Sequence, residues 1–240
     1  MLDITVLTLF PDMFPGPLGH SLIGRALDNE LWRLNTINIR DYGIGKHKQV
    51  DDTPYGGGAG LVMKPDVVDG AITAALEQQP SAQLVHFTPR GQRITQPLLQ
   101  SLTERPLVML CGRFEAIDER VIEKYQPLEL SLGDFVMTGG ELAAMAVIDA
   151  TVRMLPGVIG EEGSLAEESF GLCKDYACLL EYPHYTKPPK WDGQNVPETL
   201  LSGHHGEIEK WRLAQAKAIT KQRRPDLWEQ YCAQATEDEG

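Results

Sequence analysis

Five runs of apolar residues punctuate the N-terminal two thirds of the chain and predict five β-strands. They lie at residues 4–10, 34–39, 84–89, 106–112 and 128–132. Several of these runs are nearly continuous rather than alternating, which is typical of strands that are covered on both faces in a parallel sheet. The pattern therefore favours a buried parallel sheet over an open antiparallel one.

Apolar residues at helical spacing fill the segments between the strands. The predicted helices cover residues 21–32, 65–79, 94–105 and 141–155. Thr95 is a candidate N-cap of the third helix, and the fourth should bury Leu142, Met145, Ala146 and Val152. Strands that alternate with helices predict an α/β domain of roughly 160 residues.

The pattern changes after this domain. Residues 156–175 are rich in glycine and acidic residues and have little periodicity, and a proline-rich stretch and a long helical segment follow. We therefore expect an α/β domain over 1–160, a flexible linker over 161–180 and a helical C-terminal domain over 181–240.

The charge distribution limits the possible partners. A net charge of −12 argues against a general nucleic-acid coat protein, because phosphate binding depends on lysine and arginine. Residues 210–224 nevertheless contain only basic charges: Lys210, Arg212, Lys217, Lys221, Arg223 and Arg224. This segment is either a nucleic-acid contact or an ordinary solvated helix face.

Cysteine usage and hydropathy indicate a cytoplasmic protein. The four cysteines form no C-x-x-C pair, and the N-terminus resembles a buried strand rather than a signal peptide. No apolar run is long enough to span a membrane, so no membrane partner is expected.

Glycine-rich loops are the strongest chemical signal. The loop PYGGGAG (54–60) is not a phosphate loop, because no G-K-[ST] follows it, and we interpret it as a surface loop. By contrast, TPRG (88–91), CGRFE (111–115) and SLGDFVMTGGE (131–141) each follow a predicted strand. Three such loops at the carboxyl ends of strands predict a ligand crevice in which glycines let backbone groups approach the ligand.

Several stretches together resemble the bacterial tRNA (guanine-N1)-methyltransferase family. The matching residues are TLFPDMF, RDYG, VDDTPYGGGAGLVMKP, CGRFEAIDERV, SLGDFVMTGGELAAMAVIDA, LPGV, EESF, YPHYTKP and LLSGHHGEIEKWR. The resemblance spans almost the whole chain. It implies a SPOUT-type α/β domain with a deep trefoil knot, a small helical C-terminal domain, a homodimer and tRNA as substrate.

The same resemblance implies where S-adenosylmethionine binds. It assigns contacts with this methyl donor to Gly112 and the run Leu132, Gly133, Asp134, Phe135, Val136 and Met137. The same pocket should be lined by Thr88, Pro89, Gly91, Gly139 and Gly140. Phe114 and Phe135 depart from the family pattern, which usually has tyrosine at both positions. No metal-ligating residue is predicted, although the resemblance allows magnesium.

The expected chemistry is removal of the guanine N1 proton and transfer of a methyl group to that nitrogen. By resemblance Glu168 is the general base, in place of the usual aspartate, and Arg153 activates guanine through O6. The neighbouring Glu167 remains an alternative base. His205, Lys217, Lys221 and Arg223 are the expected tRNA contacts.

Three other functions compete with this one. The chain could be a SPOUT methyltransferase acting on a ribose or another base, or an RNA-binding protein with an inactive cofactor knot. A general adenine-nucleotide binder is disfavoured because the phosphate loop is missing.

Overall fold

The structure, a computed structural model, describes residues 1–160 and 165–237 of the chain. The chain forms two compact units, Met1–Gly160 and Glu161–Gly240. In the first unit strands alternate with helices, so the predicted α/β class is confirmed. Its main strands are β1 (Leu2–Thr8), β2 (Trp32–Asn38), β5 (Gln83–Arg93), β6 (Leu107–Leu110) and β8 (Leu128–Ser131).

These five strands form one parallel sheet in the order β2-β1-β6-β5-β8. Both faces are covered, which explains the continuous apolar runs: Val6 joins the core on one face while the next residue, Leu7, joins the core on the other. A smaller sheet contains β3 (Asp51–Asp52), β4 (Val62–Met63) and β7 (Ala116–Ile117).

The helices of this unit largely follow the predicted periodicity. They are α1 (Ser21–Asp28), α2 (Pro65–Gln78), α3 (Gln96–Ser101), α4 (Glu119–Tyr125) and α5 (Glu141–Val152), with four short 3₁₀ helices between elements. The predicted helix 21–32 is too long, because α1 ends at Asp28 and Trp32 begins β2. The buried Trp32 indole donates a hydrogen bond to Ile23 O at 3.0 Å, so it packs back against α1 from the strand.

The structure refines two details of the predicted helices. Thr95 occupies the N-cap position of α3 as predicted, although its side chain makes no capping hydrogen bond. In α5, Leu142 is 58% exposed and Ala146 is also exposed, whereas Met145 and Val152 are buried as expected. One side of this apolar helix is therefore not covered within the unit.

Strand β5 leaves its ladder with β8 for four residues. Phe87 and Gln92 both pair with Leu130, so Thr88–Gly91 protrude from the edge of the ladder. The chain returns at Gly91, where an added Cβ would lie 2.5 Å from the backbone carbonyl carbon of Glu129. This protrusion forms one wall of the cavity described below.

The second unit is mainly helical. It contains the hairpin β9 (Lys190–Trp191) and β10 (Gln194–Asn195) and the helices α6 (Glu198–Leu201), α7 (His205–Arg223) and α8 (Pro225–Glu237). Its core brings Tyr176, Leu179 and Tyr182 against Ala216 of α7.

The proposed linker lies at the beginning of this second unit. Residues 161–164 of the predicted linker lie outside the described residues, and the flexibility of 161–180 stays a prediction. Among the described residues, no helix is both long and apolar enough to cross a membrane.

Gly91→Ala should destabilise the first unit, because the new methyl group must displace the backbone of β8. Overpacking of this kind costs about 1–3 kcal/mol of unfolding free energy. Gly160→Ala is the matched control, because a Cβ added at this glycine would have no heavy atom within 4 Å. Urea unfolding of both variants would measure the difference, and equal midpoints would contradict the close packing at Gly91.

Candidate active site

A cavity of about 480 Å³ lies beside the protruding part of β5 and the carboxyl ends of β6 and β8. Three segments supply most of its wall: 86–90 from within β5, 112–117 after β6, and 130–140 from the end of β8 onward. The carboxyl ends of strands in an open α/β sheet are the usual position of a ligand crevice. The volume lies within the range of small-molecule sites, about 300–1,000 Å³.

Most of the residues assigned to S-adenosylmethionine by resemblance meet at this cavity. Those that line it are Thr88, Pro89, Gly112, Leu132, Gly133, Phe135, Val136, Met137, Gly139 and Gly140. Two assigned residues are not in the lining. Gly91 packs against β8, and Asp134 has a 90% exposed side chain that pairs with Arg93 at 2.8 Å. Contact of these residues with a cofactor stays a prediction.

The paired glycines 139 and 140 allow close packing within the protein. An added Cβ at Gly140 would lie 2.9 Å from Cys111 Cα, and one at Gly139 would lie 2.3 Å from Arg113 Nε. The space that these two glycines leave is therefore occupied by the chain that ends β6. Both glycines also line the cavity, and their contact with a ligand stays a prediction.

A buried ion pair holds this wall in place. Glu141, at the start of α5, is 1% exposed, and its Oε2 lies 2.9 Å from Arg113 Nη2, although not in the alignment of a straight hydrogen bond. Thr8 Oγ1 donates to the other carboxylate oxygen at 2.7 Å. Arg113 also donates to Thr138 O at 3.1 Å and stacks on the Phe10 ring at 4.5 Å. The pair thus connects the ends of β1 and β6 to the loop before α5.

Sequence reasoning missed most of the polar lining of the cavity. His86, on β5, is buried, and burial is the main cause that lowers its pKa below the usual value. Its Nδ1 lies 3.4 Å from Leu110 O. No motif singles out this histidine, because its sequence context is an ordinary buried strand. At neutral pH it therefore offers the cavity a neutral imidazole rather than a cation.

Charged residues also tie the loops around the cavity together. Arg90, in the protruding segment of β5, pairs with Glu119 of α4 at 2.9 Å. Glu115 lines the cavity and packs so closely on Gly60 that an added Cβ there would meet the glutamate side chain at 2.2 Å. The glycine loop that we interpreted as a surface loop therefore reaches the site at its last glycine.

Arg153 belongs to the first unit and Glu168 to the second. Arg153 occupies the C-cap position of α5, where its backbone N–H donates to Asp149 O at 3.1 Å. Glu168 lies in a tight turn, because its carbonyl oxygen accepts a hydrogen bond from Gly171 N at 2.9 Å. The roles of both residues in catalysis stay predictions.

The Glu167 carboxylate contacts two side chains of the second unit. Oε2 accepts a hydrogen bond from the Tyr182 hydroxyl at 3.0 Å and another from Arg212 Nη1 at 3.3 Å. The guanidinium of Arg212 also lies 4.8 Å above the Tyr182 ring. Burial and the hydrogen bond with Glu167 raise the pKa of Tyr182 to about 12, so this phenol stays protonated at neutral pH.

Acidic residues neutralise part of the basic segment 210–224 in the folded protein. Lys210 pairs with Glu207 at 3.0 Å, Arg212 with Glu167, and Arg224 with Asp226 at 2.6 Å. Half of the six basic side chains are therefore neutralised by acidic residues that are distant or flanking in sequence. The other three basic residues, Lys217, Lys221 and Arg223, are the ones that we predicted to contact tRNA.

These candidates are spread along α7. His205 is exposed at the first turn, and Arg223 is exposed at the end. Lys217 and Lys221 lie four residues apart on one side of the helix, so they can act together on one phosphate path. Their Nζ atoms lie over the rings of Tyr231, at 5.2 Å, and Trp228, at 5.9 Å.

Fold and site together define an α/β protein with a cavity of small-molecule size beside the carboxyl ends of parallel strands. The family model described as "tRNA (Guanine-1)-methyltransferase TrmD" matches residues 2–230. The chain belongs to this family, and our identification of the family from its motifs is confirmed. The match includes both compact units.

Curated relatives agree over nearly their whole length. The tRNA (guanine-N(1)-)-methyltransferase of Ruegeria pomeroyi is 53% identical over 236 residues, which cover 98% of this chain and 94% of the relative. The enzyme of the same name from Rhodospirillum rubrum is 50% identical, with 98% and 96% covered. That of Gluconobacter oxydans is 52% identical, with 95% of both chains covered.

Glu141→Ala should unfold the first unit at a lower denaturant concentration, because it leaves the Arg113 charge without its buried partner. Removing one member of a buried pair costs about 3–5 kcal/mol. Asp134→Asn removes the exposed pair with Arg93 and should cost at most about 1 kcal/mol. Chemical denaturation measures both, and equal losses would mean that the Arg113–Glu141 pair does not stabilise the wall.

Proposed function

We propose that this protein transfers a methyl group from S-adenosylmethionine to N1 of the guanine directly 3′ of the anticodon in tRNA. The observation that carries the proposal is the family match from residue 2 to residue 230, with the cavity formed by the very loops that the family motifs contain. A methyltransferase of this family implies S-adenosylmethionine as methyl donor.

The cavity suits this donor. It combines apolar side chains, such as Leu132 and Ile117, with loop backbone groups that can hydrogen-bond the edge of an adenine. Gly133, whose φ is +154°, adopts a conformation that side chains rarely allow, and it lies in the wall without a side chain of its own. The residues present therefore fit a nucleoside-containing ligand.

Glu168 and Arg153 supply the proposed chemistry. Guanine N1 carries a proton and is a poor nucleophile until a base removes it, and Glu168 accepts that proton. The Arg153 guanidinium stabilises the negative charge that develops on O6. Bound S-adenosylmethionine would supply the methyl group for N1, and its sulfonium sulfur would keep the electrons of the broken C–S bond. Positioning then contributes as much as proton removal.

Further features belong to the same proposal. We expect the deep trefoil knot to involve the loops around the cavity, and we expect a cytoplasmic enzyme, where its tRNA substrate is made. We also expect a homodimer, as the family resemblance implies, and the exposed Leu142 on the apolar helix α5 is consistent with a covered surface there.

Magnesium has no assigned site. Its preferred oxygen ligands are present in the lining as Glu115 and Glu119. However, no group of three or more ligating side chains is assembled among the described residues. We therefore derive no step through a metal.

The competing functions are less well supported. An inactive RNA-binding protein has only the replacement of the usual aspartate by Glu168 in its favour. A different RNA target finds no support among relatives that share one name over almost the whole chain.

Ala116→Trp should weaken binding of S-adenosylmethionine at least tenfold, because the exposed alanine lies in the cavity lining and the indole fills its mouth. Ala218→Trp, at an exposed site on α7, is the matched control. Calorimetric titration measures both affinities. An unchanged affinity in Ala116→Trp with an intact fold would exclude this cavity as the donor site.

Glu168→Gln should slow single-turnover methyl transfer by about 10²–10⁴, which is the usual contribution of a general base. The amide keeps the size of the side chain but cannot accept the proton, so the affinities for donor and tRNA should change little. Glu168→Asp restores the usual family residue and tests whether the loop is built for the longer side chain. A wild-type rate in Glu168→Gln would remove Glu168 as the base.

Replacing Lys217, Lys221 and Arg223 with alanine should weaken tRNA binding and flatten its salt dependence. Each lost phosphate contact reduces the slope of log K against log salt by about 0.7–0.9. Lys210→Ala is the control, because Glu207 already pairs with this charge. Filter binding at several salt concentrations measures the slope. An unchanged slope in the triple variant would mean that this part of α7 is an ordinary solvated helix face and not a tRNA contact.

A further inference from the structure

The turn that carries Glu168 is anchored at each neighbouring residue. On the C-terminal side, Ser169 Oγ accepts a hydrogen bond from Glu181 N at 3.0 Å, and Phe170 N donates to Leu179 O at 2.9 Å. On the N-terminal side, the Glu167 carboxylate binds Tyr182 and Arg212. Glu168 therefore lies between two residues, Glu167 and Ser169, whose side chains are both hydrogen-bonded to other parts of the second unit.

The turn also has little freedom to rearrange. An added Cβ at Gly171 would lie 2.3 Å from Ala166 O and 2.8 Å from Glu168 O. Leu172 N and Cys173 N donate back to the carbonyl oxygens of Leu165 and Ala166 at 3.0 and 3.4 Å. The segment 165–173 is thus a compact turn rather than an extended connection, and its orientation depends on what holds its two sides.

The partners of Glu167 are themselves well fixed. Tyr182 is 9% exposed and packs in the core of the second unit with Tyr176 and Leu179. Arg212 is carried by α7 and lies across the Tyr182 ring. The carboxylate oxygen of Glu167 therefore ties the turn to a buried ring and to a long helix at once. This geometry suits a structural anchor.

We propose that Glu167 is a positioning residue for methyl transfer: Tyr182 and Arg212 hold its carboxylate, and this anchor orients the turn that presents Glu168. The inference rests on the proposed function, because it assigns the base to Glu168 and the anchor to its neighbour. A displacement of about 1 Å of a reacting group can cost about 10² in rate, so loss of the anchor should appear in the chemical step.

The test is a double-mutant cycle of Glu167→Ala and Tyr182→Phe in the full-length protein. Tyr182→Phe keeps the buried ring and removes only the hydroxyl donor, so the core stays packed. With saturating donor and tRNA, we expect single-turnover methyl transfer to fall about tenfold in Tyr182→Phe and about 10² in Glu167→Ala. The double variant should be no slower than Glu167→Ala, because both changes break one interaction.

Two further variants separate positioning from folding or binding. Glu167→Gln retains a carbonyl oxygen that can accept both hydrogen bonds, so it should recover most of the rate. Glu209→Ala removes an exposed acidic residue of α7 and should transfer at the wild-type rate. Affinities for donor and tRNA should stay within about twofold in every variant, because the loss lies in the transition state.

The proposed anchoring role of Glu167 would be wrong if the rate losses of the two single variants add up in the double variant. It would also be wrong if the variants lose only tRNA affinity. A Glu167→Gln variant as slow as Glu167→Ala would contradict it as well, and would point instead to Glu167 as the base. If Glu168→Gln is slow while Glu167→Ala is normal, the anchor is wrong but the proposed function stands. If the wild-type protein transfers no methyl group to tRNA, the proposed function itself is wrong.

Discussion

The ion pair between Arg113 and Glu141 is the interaction on which the arrangement of the cavity depends. One charge follows β6, and the other begins α5, so the pair fixes the intervening wall against the sheet at both ends. Thr8 adds the end of β1 to the same network. A buried carboxylate is costly unless it is paired and hydrogen-bonded, so this network tolerates few alternative positions of the wall. Gly139 and Gly140 are small because the wall must approach Arg113 and Cys111 closely.

The sequence predicted those features that depend on local pattern. Five apolar runs became the five parallel strands, and the three predicted glycine-containing segments contribute to the cavity wall, although TPRG lies within β5 and not after it. The protrusion at Thr88–Gly91 was not predictable, because it arises where β8 resumes pairing with a later part of β5. The early end of α1 depends on Trp32 packing back onto Ile23, which is again a contact between elements.

The charge distribution was also only partly predictable from the sequence, because ion pairs join residues that are distant in the chain. Residues 210–224 contain no acidic residue, yet Glu167 reaches Arg212 from 45 positions away and Asp226 neutralises Arg224 from beyond the segment. A count of charges along the chain therefore overstates the cationic surface of α7. It also hides the surroundings of Glu167, whose carboxylate contacts Tyr182 and Arg212 although nothing in the local sequence predicts either contact.

Identification of the methylated nucleoside tests the central claim most directly. The protein would be incubated with S-adenosylmethionine and a tRNA transcript that has guanine 3′ of the anticodon, and the product digested to nucleosides for mass spectrometry. A second transcript with adenine at that position serves as control. The account predicts 1-methylguanosine from the first transcript and no methylated nucleoside from the second. A methyl group on a ribose or on another base, or bound donor with no transfer to either transcript, would contradict it.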